Sequence, residues 1–163
     1  MPAPPVISVI YSELNASVPG IVCCAGYELG QWRTARLAKH LLDWLPDCAL
    51  TAEEKSAIEP LQPYRTLETA ARRFFKVDAK GPRGELGELL IHALCVQEFK
   101  TRQFVARLFY KMRTNNTITG FDIVHLKHDA ATDDLELWLG EAKFHKDFDQ
   151  GKRCSAATYR MMG

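Results

Sequence analysis

Asp122, Glu141 and Lys143 are the residues whose types and spacing suit chemistry on a phosphate. Glu141 and Lys143 stand in "LELWLGEAKFHKD", and Asp122 stands in the upstream "GFD". Carboxylate oxygens are the ligands that hard divalent ions prefer, and two of them leave positions for water and a substrate phosphate. An ion so held lowers the pKa of its water, and a neighbouring lysine orients or deprotonates that water or stabilises the transition state. Asp122 and Glu141 are therefore candidate ligands for Mg²⁺ or Mn²⁺, with Lys143 as the working cation. Earlier in the chain, "RGELGELLIH" carries Glu85 and Glu88 on one face of an expected helix, with His92 a further turn along. A helical carboxylate facing the same site would bind a second ion directly or through water.

Positioning these residues asks for a particular set of elements. "ELGELLIHALCVQEF" has the apolar density of a buried helix, supplied by Leu86, Leu89, Leu90, Ala93, Leu94 and Val96. Three strands are expected after it, Gln103 to Lys111, Gly120 to His128 and Leu135 to Lys143, joined by the short polar turns "TNNT" and "DAATDD". Short turns make the arrangement an antiparallel meander. Period-two alternation puts Leu135, Leu137, Leu139, Glu141 and Lys143 on one face, read as the core face, and puts Asp122 with Val124 and Leu126. The start of the second strand lies beside the end of the third. Asp122 then meets Glu141 and Lys143 at one sheet edge, provided both strands bury these faces against the same helix.

Plainer readings compete with each residue. An E-x-K triplet turns up by chance roughly once in a few hundred residues, and charges at strand edges discourage aggregation. Glu85 and Glu88 suit the positive end of a helix dipole, and Asp122 suits a turn after Gly120. The ordered set favours chemistry: a helix with G-E-x-G-E, then G-F-D opening a strand, then an apolar strand ending E-A-K. His125 and His128 fall on opposite faces near a strand end, so they read as edge histidines rather than ligands of a shared metal. His145 reads as exposed. "GPRGELG" lacks the Lys and Ser/Thr of a P-loop, which excludes ATP hydrolysis here, and no Ser or Cys nucleophile pairs with a histidine.

The N-terminal region reads as packing. Val6 to Tyr11 and "PGIVCCAGYE" suggest strands; "QWRTARLAKHLLDWL" suggests an amphipathic helix closed by Pro46. Thr51 with Glu54 three residues on has capping-box spacing, and Thr66 looks like the cap of a further helix through "TLETAARRFFKV". The turn-rich "DAKGPRG" divides an N-terminal α/β region, residues 1–77, from a second region, residues 78–163.

Composition bounds the function classes. With 163 residues, 47% hydrophobic and 25% charged, the chain is an ordinary globular sequence. A net charge of +1 excludes nucleic-acid binding by bulk electrostatics, so any such contact is local. Five cysteines without CxxC spacing read as reduced thiols of a cytoplasmic protein rather than a disulfide framework or zinc site. No run has the length of a membrane span.

The run "RGELGELLIH", followed by "GFDIVHL" and "LWLGEAKFHKD", resembles the nuclease subunit of the Hachiman anti-phage defence system, over about Tyr64 to Asp147. The resemblance implies an α/β fold with a PD-(D/E)xK core, in which a helix bearing a glutamate precedes D and E-x-K on adjacent strands. It implies metal-dependent catalytic roles for Asp122, Glu141 and Lys143, with Glu88 as first choice and Glu85 as second choice for the helical carboxylate. It also implies a Mg²⁺-dependent DNA nuclease and a helicase subunit as partner. Phe121 replaces the usual proline before the aspartate and points to the opposite face, so the change is harmless. Such a core continues after the E-x-K strand with a helix and another strand. Here "CSAATYRMM" offers one short helix, and the expected core is incomplete at its C-terminus. The second reading is therefore a truncated, non-catalytic module that binds a helicase partner or DNA.

Overall fold

A computed structural model describes residues 6–58, 62–75, 83–105, 121–143 and 159–161. The fold is mixed α/β, with small antiparallel sheets and helices. It divides into two compact units, Met1–Asp43 and Trp44–Gly163, the division falling within one helix.

The first unit is built on two hairpins. Strands β1 (Ser8–Glu13) and β2 (Gly20–Cys24) pair antiparallel with a register shift between Val9 and Tyr11. The two-residue strands β3 (Tyr27–Glu28) and β4 (Gln31–Trp32) enclose Leu29 and Gly30, both at positive φ, the conformation that a tight hairpin turn needs. Arg33 ties the hairpins together, donating from Nε to the Ala25 carbonyl at 2.7 Å and from Nη2 to the Val6 carbonyl at 3.3 Å. Gly26 permits this contact. Its φ is 74°, and a Cβ there would sit 2.6 Å from the Arg33 guanidinium.

Helix α1 runs Thr34–Ala49 and contains Pro46 rather than ending at it. Pro46 removes one amide donor near the helix end, yet its own carbonyl still accepts from Leu50 N at 3.0 Å. In the second unit α2 (Ala52–Ala57) begins at the expected cap, with Thr51 Oγ1 accepting from Glu54 N and a Glu54 carboxylate oxygen accepting from Thr51 N. Helix α3 (Pro63–Phe74) starts earlier than expected. Pro63 supplies the preset first turn, and Thr66 lies inside the helix, its hydroxyl donating to the Gln62 carbonyl. Arg73 of α3 donates to both Glu54 carboxylate oxygens at 2.6 Å and to the Ala49 carbonyl at 2.7 Å, joining the ends of three helices.

Helix α4 (Arg83–Phe99) leads into a four-stranded antiparallel sheet ordered β5 (Arg102–Gln103), β6 (Ile123–Asp129), β7 (Asp134–Gly140) and β8 (Tyr159–Met161). The meander order matches the sequence expectation. Two corrections concern its ends. A strand pairs with β7 where a short helix was expected, so a fourth strand does follow the E-x-K segment. The first strand, expected from Gln103 to Lys111, is Arg102–Gln103; Phe104 and Val105 already lie beyond it, and residues 106–111 lie outside the described residues. The "DAKGPRG" link lies outside them too, apart from its last two residues, which open α4.

The face of the sheet that meets α4 is not the one read from the alternation. His125 of β6 bonds His92 of α4, and Trp138 of β7 packs against Phe99 at 5.1 Å between ring centroids. Ile123 and His125 are buried, whereas Val124, Leu126, Leu137 and Leu139 on the other face are half-buried. Alternation fixes which residues share a face. It does not say which face a given helix takes, and here Val/Leu patterning pointed to the wrong one. Leu45, Cys48, Ala49, Leu50, Ala70, Phe74, Leu89, Ala93 and Cys95 complete the described core of this unit.

Candidate functional site

Strand β7 ends at Gly140, so Glu141, Ala142 and Lys143 lie just past the ladder rather than on its face. Asp122 lies just before β6 begins. The register Ile123↔Gly140 makes these two ends neighbours. A side chain continues the ladder where the backbone stops: Asp122 Oδ2 accepts from the Ala142 amide at 2.8 Å. This charge-assisted bond anchors Asp122 against the segment that carries Glu141 and Lys143.

Glu141 and Lys143 bond each other, with 46% and 40% of their side chains exposed. Glu88, by contrast, is 6% exposed on the inner side of α4. Glu88 and Asp122 line the same narrow cleft, together with Cys48, His92, Gln103 and His125. Thus the structure brings Asp122 to the E-x-K segment on one side and to the Glu88 cleft on the other, while Glu141 and Lys143 are not among the residues lining that cleft. Glu85, one turn earlier on α4, is half-buried and also lies outside it. His145 lies outside the described residues.

Among the described residues no three His, Cys, Asp or Glu side chains form a group able to hold a metal ion by themselves. Magnesium asks for less, one or two carboxylates with waters and substrate phosphates completing its shell. Glu88 and Asp122 on one cleft are two carboxylates of that donor type, and Glu141 sits one residue from the amide that holds Asp122.

The histidine beside this cleft departs from the sequence reading. His125 is 1% exposed, not an edge residue. Its Nδ1 lies 2.7 Å from Thr101 Oγ1, and its Nε2 lies 3.1 Å from His92 Nδ1. Burial pushes the pKa of each imidazole down to about 4; for His92 nearby Asp47 opposes this and Lys55 adds to it, and for His125 the neighbouring His92 adds to it. Both rings are neutral at pH 7. The remaining ring nitrogen, His92 Nε2, is buried without a protein hydrogen-bond partner. Sequence reasoning placed His92 one turn beyond Glu88 but gave Thr101 no role. His128, as expected, is apart, paired with Asp133 on the surface. The Cys95 thiol, pushed up to about 11 by burial, is unsuited to nucleophilic chemistry.

These features define a mixed α/β protein with acidic residues from a helix and a strand end gathered on one cleft. A family model described as HamA matches residues 6–158, and the chain belongs to the HamA family, a component of the Hachiman anti-phage defence system. No curated protein and no solved structure matches the chain. No helix among the described residues is long and apolar enough to cross a membrane.

Proposed function

We propose that the chain is the metal-dependent DNA nuclease of its defence system, with a PD-(D/E)xK-type site made of Glu88, Asp122, Glu141 and Lys143. The observation that carries the reading is the Asp122 to Ala142 bond, which draws the aspartate to the E-x-K segment while Asp122 also lines the Glu88 cleft. Asp122 and Glu141 would hold Mg²⁺ or Mn²⁺, with Glu88 closing the site from the helix side and Glu85 in reserve. The ion, when bound, supplies a water of lowered pKa and offsets charge on the scissile phosphate. Lys143, beside Glu141, holds a proton donor at the phosphate and aligns the attacking water. A helicase subunit of the same system is the proposed partner, presenting or withholding DNA.

The test is cleavage of linear and supercoiled DNA by the full chain, alone and with its partner, as Mg²⁺ or Mn²⁺ is added and then chelated. Glu141→Ala and Lys143→Ala are expected to reduce cleavage at least 100-fold. Asp134→Ala, exposed at the far end of β7, retains it. Cleavage unchanged by chelation rejects the metal dependence, and cleavage unchanged by Glu141→Ala rejects the site proposed here. A partner or DNA complex without cleavage under any of these conditions supports the binding module instead.

A further inference from the structure

A hydrogen bond between two neutral histidines in a protein core is an uneconomical way to join a helix to a sheet. It leaves His92 Nε2 buried and unpartnered, where two aliphatic side chains would leave nothing unsatisfied. The placement explains what a leucine pair would not supply. His92 stands one helical turn beyond Glu88 on α4, and His125 stands three residues beyond Asp122 on β6. All four line one cleft. Apolar packing tolerates sliding, whereas a hydrogen bond fixes distance and direction. Thr101, on the segment between α4 and β5, fixes the His125 ring from its other nitrogen.

We infer that the Thr101, His125 and His92 chain is a positioning clamp that sets Glu88 of α4 at a fixed distance from Asp122 at the start of β6, so that both carboxylates serve one divalent ion. The clamp rests on the metal-dependent reading above. His92 and His125 touch neither the ion nor the phosphate in this scheme; they act through the two acids. Two proton arrangements satisfy the chain. Either Thr101 donates to His125 and His125 to His92, or the direction is reversed; in both, each ring is in a single tautomer and the link between α4 and β6 is kept.

The amide side chains separate positioning from bulk. In His92→Asn the amide nitrogen takes the place of Nδ1 and keeps the bond to His125. In His92→Gln it takes the place of Nε2, and the bond is lost; His92→Leu loses it without any polar group. His92→Leu also exchanges one unpartnered ring nitrogen, His92 Nε2, for another, His125 Nε2. The experiment is Mn²⁺ binding to the full chain, followed by the resonance of the free ion, with DNA cleavage and cooperative unfolding measured on the same samples. His92→Gln and His92→Leu are expected to raise the half-saturating Mn²⁺ concentration at least tenfold and to lower kcat, with KM for DNA unchanged. His92→Asn stays within about threefold of wild type. Should His92→Leu not fold, His92→Gln carries the same comparison. Wild-type Mn²⁺ affinity in folded His92→Gln or His92→Leu overturns the clamp and leaves the nuclease reading standing, as does an Asn variant as weak as the other two. A wild-type chain that neither binds Mn²⁺ nor cleaves DNA overturns the nuclease reading, and the clamp with it.

Discussion

Asp122 and His125 stand three residues apart, and each is fixed by a bond to a distant segment: Asp122 to the Ala142 amide, His125 to His92 and Thr101. The histidines give the fold a pH signature. Folded, each stays neutral until about pH 4, whereas the unfolded chain takes up the proton near 6.5. Between these values the unfolded state binds more protons, so stability falls as pH drops from about 6.5 toward 4. The loss is on the order of 1 kcal/mol per pH unit for each histidine. The urea midpoint is expected to be lower at pH 5 than at pH 7, with a smaller drop in His92→Leu; a flat profile would show that the rings are not buried neutral. At this scale the sequence was legible in part. That Asp122 lies beside the E-x-K segment was legible, because neighbouring antiparallel strands bring the start of one to the end of the next. The burial of His125 was not, because a histidine among alternating Val and Leu carries no mark of which face meets α4.

Among the elements, local signals held where the partner lay within a turn. Thr51 and Glu54 announce a capping box by spacing alone, and α2 begins there. What spacing does not show is that Glu54 also accepts hydrogen bonds from both Nη atoms of Arg73, nineteen residues away, which in turn holds the last carbonyl of α1. Thr51→Ala removes only the cap and is expected to cost about 1 kcal/mol. Glu54→Ala removes the reciprocal cap bond and also both Glu54 bonds to the Arg73 guanidinium, which is 20% exposed, so its cost is expected to be larger, roughly 2–3 kcal/mol. Urea unfolding of the two variants orders them; equal costs would mean that Arg73 finds water in place of Glu54. Pro46 and Thr66 misled for a related reason. Each is a boundary residue by type, but α1 tolerates the missing amide near its end, and Pro63 already starts α3.

For the molecule as a whole, the helix-then-meander order of the second unit was legible from the turns, and the strand pairing with β7 over Tyr159–Met161 was not, because a three-residue strand has no periodicity to read. The proposed nuclease depends on one spatial arrangement: an aspartate before one strand, a glutamate after the next and a glutamate from the helix beneath serve the same ion. Crystals of the chain grown with a short DNA and Mn²⁺, examined by the anomalous scattering of manganese, test it directly. The expected result is a peak with an Asp122 carboxylate oxygen in its first coordination shell and Glu141 or Glu88 in the same shell, directly or through one water. A fully occupied manganese bound elsewhere, with none at Asp122, would contradict it.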